Sequence, residues 1–189
     1  MRKVIIMMFG FLLTTAFVNE VNAQKRSKRV VTTVTTKKIV RVPKTKVVYK
    51  RPKTKVVAVR TIPNKRTIVS TRGDKYYFSN NRYYRDYNGR YIPVAPRVGL
   101  RIGTLPRGFR TVVFAGRSYF YFDGIFYSPV KNEYEVVYPE VGTIIYELPE
   151  NYEKVEYDGD LLYEANGVLY EKVQVDGTRA YEVVGIVEE

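Results

Sequence analysis

Residues 105–127 read Leu-Pro-Arg-Gly-Phe-Arg-Thr-Val-Val-Phe-Ala-Gly-Arg-Ser-Tyr-Phe-Tyr-Phe-Asp-Gly-Ile-Phe-Tyr. A proline corner opens the stretch. Two glycine turns then divide it into short runs rich in Val, Ile, Phe and Tyr, residues that suit a pleated, half-buried surface. Asp123-Gly124 is the residue pair of a type I′ hairpin turn, where both positions need positive φ. In the run before it, Tyr119 and Tyr121 face one way while Phe120 and Phe122 face the other. One face can fill a core; the second must meet another layer, another protein or a ligand.

The stretch recurs on both sides of itself. Ile62-Pro63, Leu105-Pro106 and Leu148-Pro149 stand 43 residues apart, as do Val69, Val112 and Val155, and Gly73, Gly116 and Gly159. Asn80-Asn81 and Asn166-Gly167 hold the place of Asp123-Gly124, and Val98-Gly99 returns as Val141-Gly142 and Val184-Gly185. A period between about 20 and 50 residues marks a repeat of one supersecondary unit. The sequence therefore predicts an all-β protein of three tandem 43-residue β-meander repeats, at 55–97, 98–140 and 141–189. Strands are expected at 67–71, 76–78 and 82–84, at 110–114, 119–122, 125–127 and 134–138, and at 154–157, 162–163, 168–170 and 180–184. Three units are too few to close a propeller, which leaves stacked meanders or small barrel-like units.

Upstream, residues 1–23 have the form of a cleaved signal peptide: Arg2 and Lys3, an apolar run from Val4 to Val18, then Val21-Asn22-Ala23 before Gln24. The run is short of the roughly 20 residues that span a bilayer, and no later run reaches that length. Export to the periplasm or cell surface of a Gram-negative bacterium is the expectation. Residues 24–54 form a basic, low-complexity arm, disordered or loosely extended, containing the echo Pro43-Lys-Thr-Lys-Val-Val48 and Pro52-Lys-Thr-Lys-Val-Val57. Prolines every nine residues oppose regular pairing; an edge strand within 46–59 is the alternative. Charge is polarised: residues 24–97 hold 22 Lys/Arg against two acids, whereas residues 141–189 hold three against 12.

The pattern at 105–127, repeated at 148–170 with Asn151 for the glycine, resembles an uncharacterised family of exported bacterial proteins, a domain of unknown function with repeated L-P-x-G-Y-x-x-V-x-V-x-G-x-x-Y-Y-Y-x-x-G-V-Y-Y units. The copy at 62–84 departs more, with Asn81 for the turn glycine. The resemblance covers about two-thirds of the chain. It implies export and the repeat, and it brings no activity, ligand or catalytic residue with it.

Absences bound the chemistry. The chain has no His and no Cys, which removes an imidazole base and the usual zinc and copper ligand sets. Glu147, Glu150, Glu153, Glu156 and Glu164 are carboxylates of the kind that work in pairs on glycosides, but they follow the repeat pattern, and Asp158-Gly159-Asp160 and Asp176-Gly177 fall where the turns fall. No enzyme and no cofactor is expected. The suggestive side chains are basic residues interleaved with tyrosines, which suit an anionic polymer through charge pairing and ring stacking. The candidates are Lys37, Lys38, Arg41, Lys44, Lys46, Lys50, Arg51 and Lys53 of the arm, and Tyr76, Arg82, Tyr84, Arg85, Tyr87 and Arg90 of the first repeat. Export argues against nucleic acid as the physiological partner and favours an anionic envelope polymer or an acidic envelope protein. The alternative is a self-associating structural protein, a homo-oligomer using its charge polarity head to tail. With the repeats starting after the arm, loss of the arm is expected to leave fold stability almost unchanged.

Overall fold

The computed structural model describes residues 41–50 and 56–188, all within one compact unit that spans 34–189. The predicted signal peptide and the candidates Lys37, Lys38, Arg51 and Lys53 lie outside the described residues. The chain is all-β, as expected, and contains no α-helix among the described residues. No helix there is long and apolar enough to cross a membrane.

Strands β1 (Arg41–Pro43) and β2 (Val48–Tyr49) flank a 3-10 turn at Lys44–Lys46. A basic antiparallel sheet follows, of β3 (Arg66–Val69), β4 (Lys75–Ser79), β5 (Arg82–Tyr87) and β6 (Arg90–Pro93) in chain order. The middle sheet contains β7 (Arg101–Ile102), β8 (Arg110–Phe114), β9 (Arg117–Phe122), β10 (Ile125–Val130) and β11 (Glu133–Val137), in the order β7-β11-β10-β9-β8. The acidic sheet contains β12 (Ile144–Ile145), β13 (Glu153–Tyr157), β14 (Asp160–Ala165), β15 (Val168–Val175) and β16 (Thr178–Glu188), with β12 beside β16.

Turn chemistry sets these hairpins. Asp123 and Gly124 have φ of 47° and 79°, Asn166 and Gly167 52° and 81°, and Asn80 and Asn81 49° and 61°. All six occupy the left-handed region, where Gly, Asn and Asp are tolerated best. Asp158-Gly159 and Asp176-Gly177 are turn pairs of the same kind. The spacing of 43 reappears in the pairing: Val59 bridges Tyr91, and Ile102 pairs with Tyr134. Ile145 pairs with Tyr181, four residues beyond the beat because the β15–β16 hairpin is longer.

One alignment needs correction. Val112 pairs with Tyr119 and Val155 with Leu162, but in the basic sheet Ile68, not Val69, pairs with Tyr76. The β3–β4 connection holds an extra residue, closed by the Ser70 amide on the Asp74 carbonyl at 2.8 Å. A one-residue offset flips a strand residue to the other face, so Val69 is 61% exposed.

The three sheets stack. Tyr76, Phe78 and Tyr83 of the basic sheet share a core with Ile125, Tyr127 and Val136 of the middle sheet. The opposite face of the middle sheet, with Tyr119, Tyr121 and Phe126, shares a second core with Ala165, Val168, Tyr170 and Val183 of the acidic sheet. The two-faced aromatic strand at 117–122 is thus sandwiched between layers. Two hairpin turns also seat on the next corner: Asn81 exchanges two hydrogen bonds with the Arg107 backbone, and a Cβ on Gly124 would stand 2.9 Å from Pro149 Cγ.

The arm departs most from expectation. β1 runs parallel to β16, with Val42 opposite Val187, and β2 runs antiparallel to β13, with Tyr49 opposite Val155. One short segment therefore ties both edges of the acidic sheet. Val42 and Val47 are buried there with Val155, Leu162, Leu169 and Val187. Burying a valine contributes about 1.5–3 kcal/mol at most, so this part of the arm belongs to the fold. The expectation that the arm is dispensable for stability fails for residues 41–50. β2 falls inside the alternative edge-strand window; β1 does not.

Candidate anion-binding cleft

Where the arm crosses the acidic sheet, a cleft of about 900 Å³ opens against the basic and middle sheets. Arg41 and Lys44 enter it from the arm, Arg72 from the β3–β4 turn, and Arg97 from the link between β6 and β7. Tyr49, Tyr138 and Asn166 also line it, with the carboxylates Glu164 and Glu188 on the acidic-sheet side. Four cations face two carboxylates.

The cations are held differently. Arg41 lies 3.7 Å from Glu188, both side chains being exposed. Arg97 lies 3.8 Å from Asp74, which also takes Arg85 at 3.4 Å. Lys44 and Arg72 make no ion pair among the described residues. An exposed pair near 4 Å contributes little, so Arg41 retains most of its attraction for a further anion, whereas Arg97 and Arg85 share the half-buried Asp74, one carboxylate against two cations. Tyr49 is kept neutral: burial, then the charges of Glu164 and Glu153, push its hydroxyl up to about 12.

The other sequence candidates scatter. Lys46 is exposed on the 3-10 turn, and Lys50 pairs with Glu156. Arg82 is exposed and lines a smaller hollow of about 410 Å³ with Asn81 and Glu147. Tyr84 is half-buried on the outer face of the basic sheet, whereas Tyr87 and Arg90 are exposed at the β5–β6 hairpin. Tyr76 is a correction: it is buried at 1% exposure, its hydroxyl accepting the Arg97 amide at 3.2 Å, and no polymer reaches it. Arg85 is half-buried on the same face, 5.8 Å from the Tyr76 ring. The alternation of a strand splits the expected Tyr/Arg surface between two faces. Sequence reasoning missed Arg72, Arg97, Tyr49 and Tyr138. The first two flank turn glycines, Gly73 and Gly99, and that position was the available signal.

The carboxylates are engaged in structure. Glu147 accepts from Arg110 at 2.9 Å, and Glu164 accepts the Gly167 amide at 2.7 Å. Glu153 stands directly across from Glu164, with one oxygen buried and without a hydrogen-bond partner. Like charges in that position oppose strand pairing, and the basic arm lies over them.

A family model described as Family of unknown function (DUF6515) matches residues 40–187. The chain belongs to this family. The match begins one residue before β1, so the fold-bearing part of the arm falls within the family's domain. No curated protein and no solved structure matches the chain.

Proposed function

We propose that this protein is an exported, non-enzymatic envelope module, built from three copies of one meander, that binds an anionic envelope polymer in the cleft. The observation that carries the reading is the convergence of Arg41 and Lys44 of the arm with Arg72 and Arg97 of the basic sheet around one opening. Charges distant in sequence meet there beside Tyr49 and Tyr138, a mixture that suits charged sugar rings better than an isolated ion. The polar N-terminal pattern, with its apolar core and Ala23-Gln24 junction, supports export. A chain without His or Cys is poorly equipped for most hydrolytic chemistry.

The test is titration of residues 24–189 with polygalacturonate, a carboxylate polymer, and with long-chain polyphosphate, at several salt concentrations. Binding to either polymer should weaken steeply with salt. Lys44→Glu/Arg72→Glu should weaken binding at least about tenfold and reduce the salt slope by about two. Arg90→Glu, outside the cleft, should have little effect. Equal binding by parent and double variant would sink the cleft, and no binding by the parent at low salt would sink the function.

A further inference from the structure

Both internal interfaces of the stack join the same two faces. In each, one sheet presents an inner face (Tyr76, Phe78, Tyr83, or Tyr119, Tyr121, Phe126) to the next sheet's receiving face (Ile125, Tyr127, Val136, or Val168, Tyr170, Val183). The contact is heterologous, and such contacts propagate until something stops them. At the acidic end the inner face of Val155, Leu162 and Leu169 meets no further sheet among the described residues. The arm covers it with Val42 and Val47.

The receiving face of the basic sheet carries Tyr77, Tyr84 and Tyr91, which stand 43 residues before Phe120, Tyr127 and Tyr134. Tyr77 and Tyr91 rings meet at 5.1 Å and 80°. Phe120 and Tyr134 meet at 5.4 Å and 89°, and Tyr163 and Tyr181 at 5.5 Å and 75°. The surface keeps the form of the two that are covered by a neighbouring sheet, but no sheet covers it among the described residues. Lys65 and Lys75 lie over its rings.

We infer that this face receives the acidic sheet of a second copy when that copy's arm is displaced. Charge selects the occupant. Phe78 and Ile125 share one core, and Tyr121 and Val168, 43 residues on, share the next. Carried one step further, the same pairing joins Glu164 of one copy to Arg82 of another. An apolar pair at both internal interfaces becomes an opposite-charge pair at the external one. Lys65 and Lys75 add positive charge to the receiving face, and Glu153 adds negative charge beside Glu164 on the incoming one. The arm is then a cap, as a polar terminal unit is in other repeat stacks, and its release turns monomers into an open head-to-tail array. The receiving face of the basic sheet lies outside the cleft, whereas the incoming face shares Glu164 with it, so release of the arm also opens the cleft.

The test uses the full mature chain without polyanion, so its failure leaves the cleft reading untouched and failure of polymer binding leaves this one untouched. Val47→Asp loosens the cap. Its weight-average mass in sedimentation should at least double as concentration rises at low salt. Arg82→Glu in that background should restore monomers, and adding Glu164→Arg should recover association. A folded Val47→Asp protein that stays monomeric, or association indifferent to Arg82→Glu, overturns the inference. Should Val47→Asp unfold, the cysteine-free chain offers a second route. Arg82→Cys and Glu164→Cys proteins, each carrying the milder Val47→Ala to loosen the arm, are mixed under mild oxidation, where mixed disulfide dimers support the contact and their absence at high concentration overturns it.

Discussion

The two ends of the stack are both antiparallel meanders, finished in opposite ways. At the acidic end, an arm with apolar residues at Val42 and Val47 pairs with both sheet edges, and Lys50 and Arg41 meet Glu156 and Glu188. At the basic end, three tyrosines stay half-buried and two lysines lie along them, at 4.7 Å for Lys65 on Tyr91 and 5.5 Å for Lys75 on Tyr77. Long cationic side chains cover apolar surface while keeping their charge in water. The difference teaches that a sheet face can be finished by burial or by solvation. The arm goes to the end where its charge is opposed.

The largest effect is expected from breaking the buried finish. The two Pro-Lys-Thr-Lys-Val-Val copies place Val47 at 6% exposure and Val56 at 59%. Val47→Asp should destabilise by about 3 kcal/mol or more, because a charge would be buried without a partner. Val56→Asp should change stability by under about 0.5 kcal/mol. Denaturant unfolding of both measures this, and equal losses would mean that the copies exchange places on the acidic sheet.

Alkaline titration probes the basic–middle interface. Burial pushes the Tyr83 hydroxyl up to about 12, with its 3.2 Å contact to Tyr127 opposing the shift. The unfolded phenol ionises near 10, so the stabilisation is fully present below pH 10 and falls as pH rises from 10 towards 12. The loss should be on the order of 2–3 kcal/mol. Tyr83→Phe should reduce that slope in melts recorded across the range; an unchanged slope would place the alkaline sensitivity elsewhere.

A smaller effect is expected at the turns. Gly124→Val combines positive φ with a Cβ 2.6 Å from Asn166 Nδ2 and should cost about 2 kcal/mol. Gly73 also has positive φ, but nothing lies near it, and Gly73→Val should cost about 1 kcal/mol. If both melt alike, the turn-on-corner seat between sheets contributes nothing beyond backbone conformation.

The smallest concerns charge at the closed end. Lys50→Ala should cost under about 1 kcal/mol, because its pair with Glu156 is exposed on both sides. A loss above about 2 kcal/mol would show that ion pairing, rather than Val42 and Val47, holds the arm in place.

Much of the fold was legible because its signals are local. Asp123-Gly124 and Asn166-Gly167 dictate their own backbone, and the opposed tyrosines and phenylalanines of 117–122 demanded the layers found on both sides. The site was less legible. Tyr76 and Arg85 lie among the same residue types as Tyr84 and Arg82, yet one residue's difference in phase sends them to the interior face. Ile68 took the place expected for Val69 because one added turn residue reversed that strand's phase, which composition does not reveal.

The sequence by itself determined the β class and the turn positions, because those depend on contacts within a few residues. The tertiary structure decided that the arm would cap the acidic sheet, that Arg41 and Lys44 would meet Arg72 and Arg97, and that one aromatic face would remain uncovered. Each of these depends on which apolar surface is left without a partner once the sheets have stacked. That is a property of the assembled layers and of the opposite charges they bring within reach.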